Sequence, residues 1–274
     1  MRHLLTHILA VIPAAVAAVS ESSDDVACAT SAADKNHCGG HRSLIQRHTV
    51  HELAHEVPLM PIEEMNNISV QLWDILLNNG YLGNGPLEEL NFPEPVLAQQ
   101  VIDDLTQAKV EARTICETGF YGGHSALSLL SLTSARIYEF DLCRYNFSAP
   151  ASAFLYNTFP GRFNLTCGNS TEQVPIFRKG APDVRCDVII ADGGKTREEV
   201  RADLVNLGAM SNKNARVYLA GTPCPSKRCD GPYAAWDQLV EDGCIKSESR
   251  KWTREDYGFS HGTLNGCSDL QVGP

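Results

Sequence analysis

The chain has 274 residues, 43% of them hydrophobic and 20% charged, which excludes a disordered polypeptide and leaves room for one sizeable core plus extensions. A formal net charge of -10 excludes the broadly basic surface that nucleic-acid binding requires. In chain order, residues 1–20 come first (MRHLLTHILAVIPAAVAAVS), with Arg2 and His3 ahead of an apolar run that ends in small residues. That layout predicts a secretory signal peptide cleaved between Ala17 and Ser20. No later apolar run is long enough to span a bilayer, so no membrane association is expected after cleavage. The 10 cysteines and the Asn-x-Ser/Thr sequons at Asn67, Asn146, Asn164 and Asn169 agree with a secreted glycoprotein or one held in a secretory-pathway lumen.

Residues 21–60 form a polar segment carrying Cys28 and Cys38, with a short helix expected over 42–56 before Pro58 and Pro61. The string His51-Glu52-Leu53-Ala54-His55 matches the His-Glu-x-x-His zinc-protease pattern. Pro58 ends that helix and no third ligand follows, and a solvated helix face accounts for the same residues. A helical extension over 61–112 is expected next. Ile68, Leu72, Ile75 and Leu76 predict a helix over 62–80, and Val96, Leu97, Val101, Ile102 and Leu105 predict another over 96–109.

The domain over 113–270 has the most regular pattern. Apolar runs at 113–118, 135–141, 162–167, 186–191 and 215–220 alternate with helical segments near 124–133, 149–159, 196–210 and 232–242. Alternation of this kind predicts a Rossmann-like, doubly wound, mostly parallel α/β sheet. Two β-rich pieces, 245–252 and 257–264, predict a closing antiparallel pair. Ligands of such sheets gather at the carboxyl ends of the strands, and each expected strand ends in polar residues. The first runs through Glu117 to Gly119, Gly122 and Gly123, where His124 and Ser125 open a helix with free backbone N–H groups. The second ends in Asp141, placed either to accept ribose hydroxyls or to cap the next helix. The third ends in Asn169-Ser170, and the fourth in Asp192-Gly193-Gly194-Lys195.

In these stretches the chain resembles the class I S-adenosylmethionine-dependent methyltransferases, and most of all their small O-methyltransferase-like members. Glu117-Thr118-Gly119-Phe120-Tyr121-Gly122-Gly123-His124-Ser125-Ala126-Leu127 matches the glycine-loop motif, supported by Phe140-Asp141-Leu142, Phe159 to Phe163 and Asp187 to Gly194. The resemblance covers about residues 96–266. It implies S-adenosylmethionine as cofactor, with Glu117, Gly119 and Gly123 at the methionine part, Asp141 at the ribose, and Asn169 and Ser170 at the adenine. It also implies Asp192 and Lys195 as the catalytic pair, Lys195 being the base that takes a proton from an acceptor hydroxyl. A solvated lysine at a helix start is the other reading of Lys195.

Where metal-dependent relatives place further oxygen ligands, this chain reads Tyr218-Leu219-Ala220-Gly221-Thr222. Asp192 with Thr222 or Asp230 is too thin a set to predict a divalent metal site. The expected activity is O-methylation of a small molecule or a sugar. The alternative is a secreted glycoprotein that keeps the fold for binding without catalysis. Oligomeric state is not specified. Expected cysteine pairs are Cys28 with Cys38, Cys143 with Cys167, Cys224 with Cys229 and Cys244 with Cys267, while Cys116 and Cys186 are either buried thiols or a pair.

Overall fold

A computed structural model describes residues 60–81, 94–108, 111–222, 227–254 and 257–266, all within one of two units of the chain, Ala54–Pro274. The expected signal peptide, the His51 to His55 string and Cys28 and Cys38 lie outside the described residues.

Seven strands form one sheet: β1 (Thr114–Thr118), β2 (Arg136–Asp141), β3 (Phe163–Cys167), β4 (Cys186–Ala191), β5 (Ser211–Ala220), β6 (Ile245–Arg254) and β7 (Tyr257–Leu264). Their spatial order is β3-β2-β1-β4-β5-β7-β6. The first five strands are parallel, and β7 runs antiparallel between β5 and β6. The expected α/β sheet with its closing antiparallel pair is therefore present. Chain order reverses between β1 and β4, so the crevice above those two strand ends is the natural ligand position.

Alternate strand residues face opposite sides of the sheet, so each central strand supplies two cores. On one side Ile115, Ile137, Val188, Ile190 and Tyr218 pack under α1 (Ile62–Asn78), α2 (Glu94–Ala108), α3 (His124–Leu132) and α4 (Ser148–Thr158). The helices contribute Leu72, Leu76, Val101, Leu129 and Leu155, and the spacing of Leu72 and Leu76 is that of one helix face. On the other side Phe140, Ile189, Val217 and Leu219 pack under α5 (Ser170–Gly180), α6 (Arg197–Ala209) and α7 (Asp230–Glu241) through Val174, Leu204, Trp236 and Leu239. Among the described residues no helix is long and apolar enough to cross a membrane.

Helix α5 was not expected from the sequence. Pro175 interrupts it and Val174 is its one buried residue, so neither propensity nor periodicity announces it. Arg162 secures the opposite edge. Its guanidinium donates to the carbonyls of Leu130, Thr133 and Ala135 at 2.7–3.1 Å, satisfying backbone groups that the end of α3 leaves open.

Two disulfides brace the sheet. Cys143–Cys167 joins the carboxyl ends of β2 and β3 as expected, and Cys116–Cys186 ties β1 to β4, resolving those two as a pair. Cys244 is a buried free thiol, which corrects its expected pairing with Cys267. It sits in the core under α7, packed among apolar side chains, and Cys267 lies outside the described residues. Cys229 is disulfide-bonded; its expected partner Cys224 also lies outside them.

Candidate functional site

The chain leaves β1 in a turn that only glycine permits. Gly119 has φ +107, and a Cβ there would stand 2.8 Å from the backbone of Asp192 and Gly193. Backbone bonds lock the three neighbouring strand ends together: Gly119 N–H to the Phe140 carbonyl at 2.9 Å, and Asp192 N–H to the Thr118 carbonyl at 2.8 Å. Gly123 closes the turn at φ +80 as the N-cap of α3, where a side chain would strike the Phe120 ring at 2.7 Å. Between them Tyr121 takes φ 49, and its N–H donates to Asp141 Oδ2 at 3.1 Å. The other oxygen, Oδ1, accepts the Cys143 N–H at 2.6 Å. Asp141 therefore holds the glycine turn against the end of β2 while remaining half-exposed, with acceptor capacity left for a ligand.

Beneath the turn lies Glu117, 1% exposed, whose Oε1 accepts the Ser125 hydroxyl at 3.0 Å. Its register partner on β2 is Glu139, also fully buried. Burial pushes the Glu117 carboxyl up to about 7; the charge of Asp192 adds to the rise, and bonds from Glu139 and Ser125 oppose it. His124, the first residue of α3, is driven down to about 4 by burial and is therefore neutral. Its ring lies 4.6 Å from that of Trp73 on α1.

Residues 116–219 match a family profile described as a methyltransferase domain. Over those residues the chain is similar to that family. Its fold is similar to that of the O-methyltransferase TomG from Streptomyces achromogenes, solved with SAM, at 15% identity and a TM-score of 0.53 over 77% of this chain and 93% of that one. It is also similar to the O-methyltransferase from Bacillus cereus in complex with SAH (13%, TM-score 0.52, 76% and 93%). A putative O-methyltransferase from Klebsiella pneumoniae is a third example (14%, TM-score 0.54, 73% and 90%). At these identities the likeness is one of fold. No curated protein matches the chain in sequence.

Asp192 follows β4 and faces the glycine turn. Lys195 donates through Nζ to the Asp192 carbonyl at 2.7 Å and to Asp192 Oδ1 at 3.0 Å. The lysine side chain is 62% exposed against 14% for the aspartate. A capping box positions the pair: the Thr196 hydroxyl accepts the Glu199 N–H, and Glu199 Oε2 accepts the N–H groups of Lys195 and Thr196. Those backbone N–H groups hold the Glu199 carboxyl below its usual range. Among the described residues no cluster of three or more His, Cys, Asp or Glu is arranged to hold a metal ion.

The third strand end is arranged differently from the rest. Asn169 is the exposed N-cap of α5, its Oδ1 accepting the Thr171 N–H at 3.1 Å and the Thr171 hydroxyl at 3.0 Å. Ser170 turns inward and donates to Asp203 Oδ1 at 2.7 Å. Asp203 is fully buried on α6, and burial raises its carboxyl above the usual range. One buried acid thus ties the end of β3 to α6. Sequence reasoning passed over it, although an aspartate flanked at helical spacing by Val200, Leu204 and Leu207 marks a buried acid. Glu139 was legible only as part of the polar end of the second strand, because the register of β1 on β2 is what sets it beside Glu117. A wall of aromatic rings completes the site: Tyr81 against Tyr121 at 5.8 Å, Tyr121 against Phe147 at 5.2 Å, and Tyr145 stacked on Phe147.

Proposed function

We propose that the domain binds S-adenosylmethionine over the β1–α3 turn and methylates a hydroxyl of a small acceptor, a sugar or another small molecule, in a secretory-pathway lumen or outside the cell. One observation carries this reading: the glycine turn, the buried acid pair under it and Asp141 beside it meet at the point where strand order reverses. The donor set fits a cationic nucleoside. Glu117 and Glu139 supply carboxyls below the turn, Asp141 retains acceptor capacity for ribose hydroxyls, and the N–H groups opening α3 can meet a carboxylate. When bound, the cofactor supplies an electrophilic methyl group on sulfonium sulfur.

The remaining work falls to this chain's own side chains. The rings of Tyr121, Tyr145 and Phe147 offer an apolar wall that orients an acceptor and excludes water. In this reading Lys195 Nζ leaves its ion pair with Asp192, gives up its extra proton to solvent, and as the neutral amine takes the hydroxyl proton. That ion pair also favours the second reading, a secreted protein that keeps the fold for binding. The signal-peptide layout, the sequons and the disulfides support the compartment.

Calorimetric titration with S-adenosylhomocysteine tests the cofactor, and labelled methyl donor offered with panels of sugars and phenols tests transfer. Absence of binding removes the proposal. Binding without transfer to any acceptor favours the second reading.

A further inference from the structure

Away from the glycine turn, a cavity of about 330 Å³ opens where α2 meets β5, β7 and β6, lined by Asp104, Gln107, Arg216, Glu248, Ser249 and His261. It lies three strand spacings from β1, about 14 Å across the sheet. Arg216 is in register with Val188, and Val188 with Ile115, so the cavity sits beside the strand bodies, below their carboxyl ends. It shares no residue with the site proposed for methyl transfer.

Three of its side chains form a chain of contacts. Ser249 on β6 is the register partner of His261 on β7, and its Oγ lies 2.5 Å from His261 Nε2. On the other side of the ring, His261 Nδ1 lies 3.4 Å from Asp104 Oδ2. Asp104 is itself held: Oδ2 accepts the Tyr218 hydroxyl at 2.8 Å, and Oδ1 accepts Gln100 Nε2 at 2.5 Å. Tyr218 stacks on the imidazole at 5.8 Å with 11° between planes, which fixes the ring orientation. His261 is 7% exposed, whereas Ser249 is half-buried and on the cavity wall.

Glu248 Oε2 also faces Nδ1, at 3.9 Å, and the two carboxylates on that side favour the tautomer protonated there, leaving the Nε2 lone pair facing the serine hydroxyl. A serine touching a base, the base oriented by an acid, and open space beside the serine are the requirements for an activated nucleophile. From this constellation we infer that Ser249, His261 and Asp104 form a second active centre, one that hydrolyses small polar esters. Ser249 Oγ attacks the ester carbonyl carbon as its proton passes to His261 Nε2. The C–O bond to the alcohol then breaks, and the leaving oxygen takes that proton. Water, deprotonated by Nε2, attacks the acyl-serine; the acid departs and the proton returns to Ser249. Arg216, paired with Glu248, lines the same cavity and offers a cation to the negative charge that develops on the carbonyl oxygen. Polar side chains dominate the lining, and the cavity volume suits a short acyl group on a polar alcohol. Ser249 and His261 touch the reacting atoms, and Asp104 is a positioning residue.

The test uses the full chain, a fluorophosphonate probe, and 4-nitrophenyl acetate as substrate. The expected result is covalent phosphonylation mapped by peptide mass spectrometry to Ser249, abolished in Ser249→Ala together with acetate hydrolysis. Asp104→Asn should slow labelling about a hundredfold or more and shift its pH profile, a change that loss of a mere strut would not produce. Circular dichroism and cooperative unfolding of Ser249→Ala verify that its fold is intact. Folded wild-type protein that is not labelled at Ser249, or a folded Ser249→Ala protein that hydrolyses acetate at the wild-type rate, overturns the inference. Neither readout depends on S-adenosylmethionine, so its failure leaves the methyl-transfer reading untouched, and the converse also holds.

Discussion

Replacing Glu117 with Gln exposes the cost of the acid pair beneath the glycine turn. Burial first, then the charge of Asp192, lifts the Glu117 carboxyl from 4.5 to about 7. Between those two values the folded chain binds more protons at this position than the unfolded chain does. Its stability contribution is therefore complete below pH 4.5 and declines as pH climbs through 7. Each tenfold change in proton affinity is worth about 1.4 kcal/mol, so wild type forfeits about 3 kcal/mol between pH 4 and pH 8. Gln has nearly the same shape, carries no titrating proton, and can donate to Glu139. Glu117→Gln should gain about 3 kcal/mol on wild type between pH 4 and pH 8, or on the order of 6–12 °C in Tm.

Urea unfolding of both proteins at the two pH values, followed by circular dichroism, gives the comparison. Carboxyls shifted the other way produce slopes of opposite sign. Glu199 is lowered by backbone N–H groups; at Glu248, burial is outweighed by bonds from Thr263 and Arg216. These slopes are common to both proteins and cancel in the difference. Parallel stability curves for wild type and Glu117→Gln from pH 4 to pH 8 would refute the buried acid pair.

Asp141→Ala should weaken S-adenosylhomocysteine binding about 10- to 100-fold by calorimetry, because it removes the ribose acceptor and frees the Tyr121 and Cys143 N–H groups. An unchanged Kd would remove Asp141 from the site. Lys195→Ala should leave that Kd within about twofold and lower kcat by on the order of a hundredfold; unchanged kcat with a labelled methyl donor returns Lys195 to the role of a solvated cap residue. Removing the Cys116–Cys186 link with alanine at both positions should cost about 4 kcal/mol by urea unfolding, since it closes a loop with sequence separation 70. An unchanged midpoint would show that the bridge does not restrain the chain.

The β1–α3 turn was legible because its parts are contiguous: Glu117, Gly119, Gly123 and Ser125 follow one another within nine residues, and each glycine carries a backbone requirement no other residue meets. The strand–helix alternation and the closing antiparallel pair were legible for a similar reason, since periodicity is a local property. Helix α5 escaped because Pro175 and a single buried side chain erase its pattern.

Local order along the chain thus sufficed to specify the parallel sheet, the glycine turn and the acid at the end of β2. Only three-dimensional packing set Glu139 against Glu117, turned Ser170 away toward Asp203, and brought Asp104, His261 and Ser249 together from a helix and two strands. Hydrophobic period shows which side a residue faces, but strand pairing and register decide which residue stands opposite it. Chemistry between side chains depends on that second piece of information.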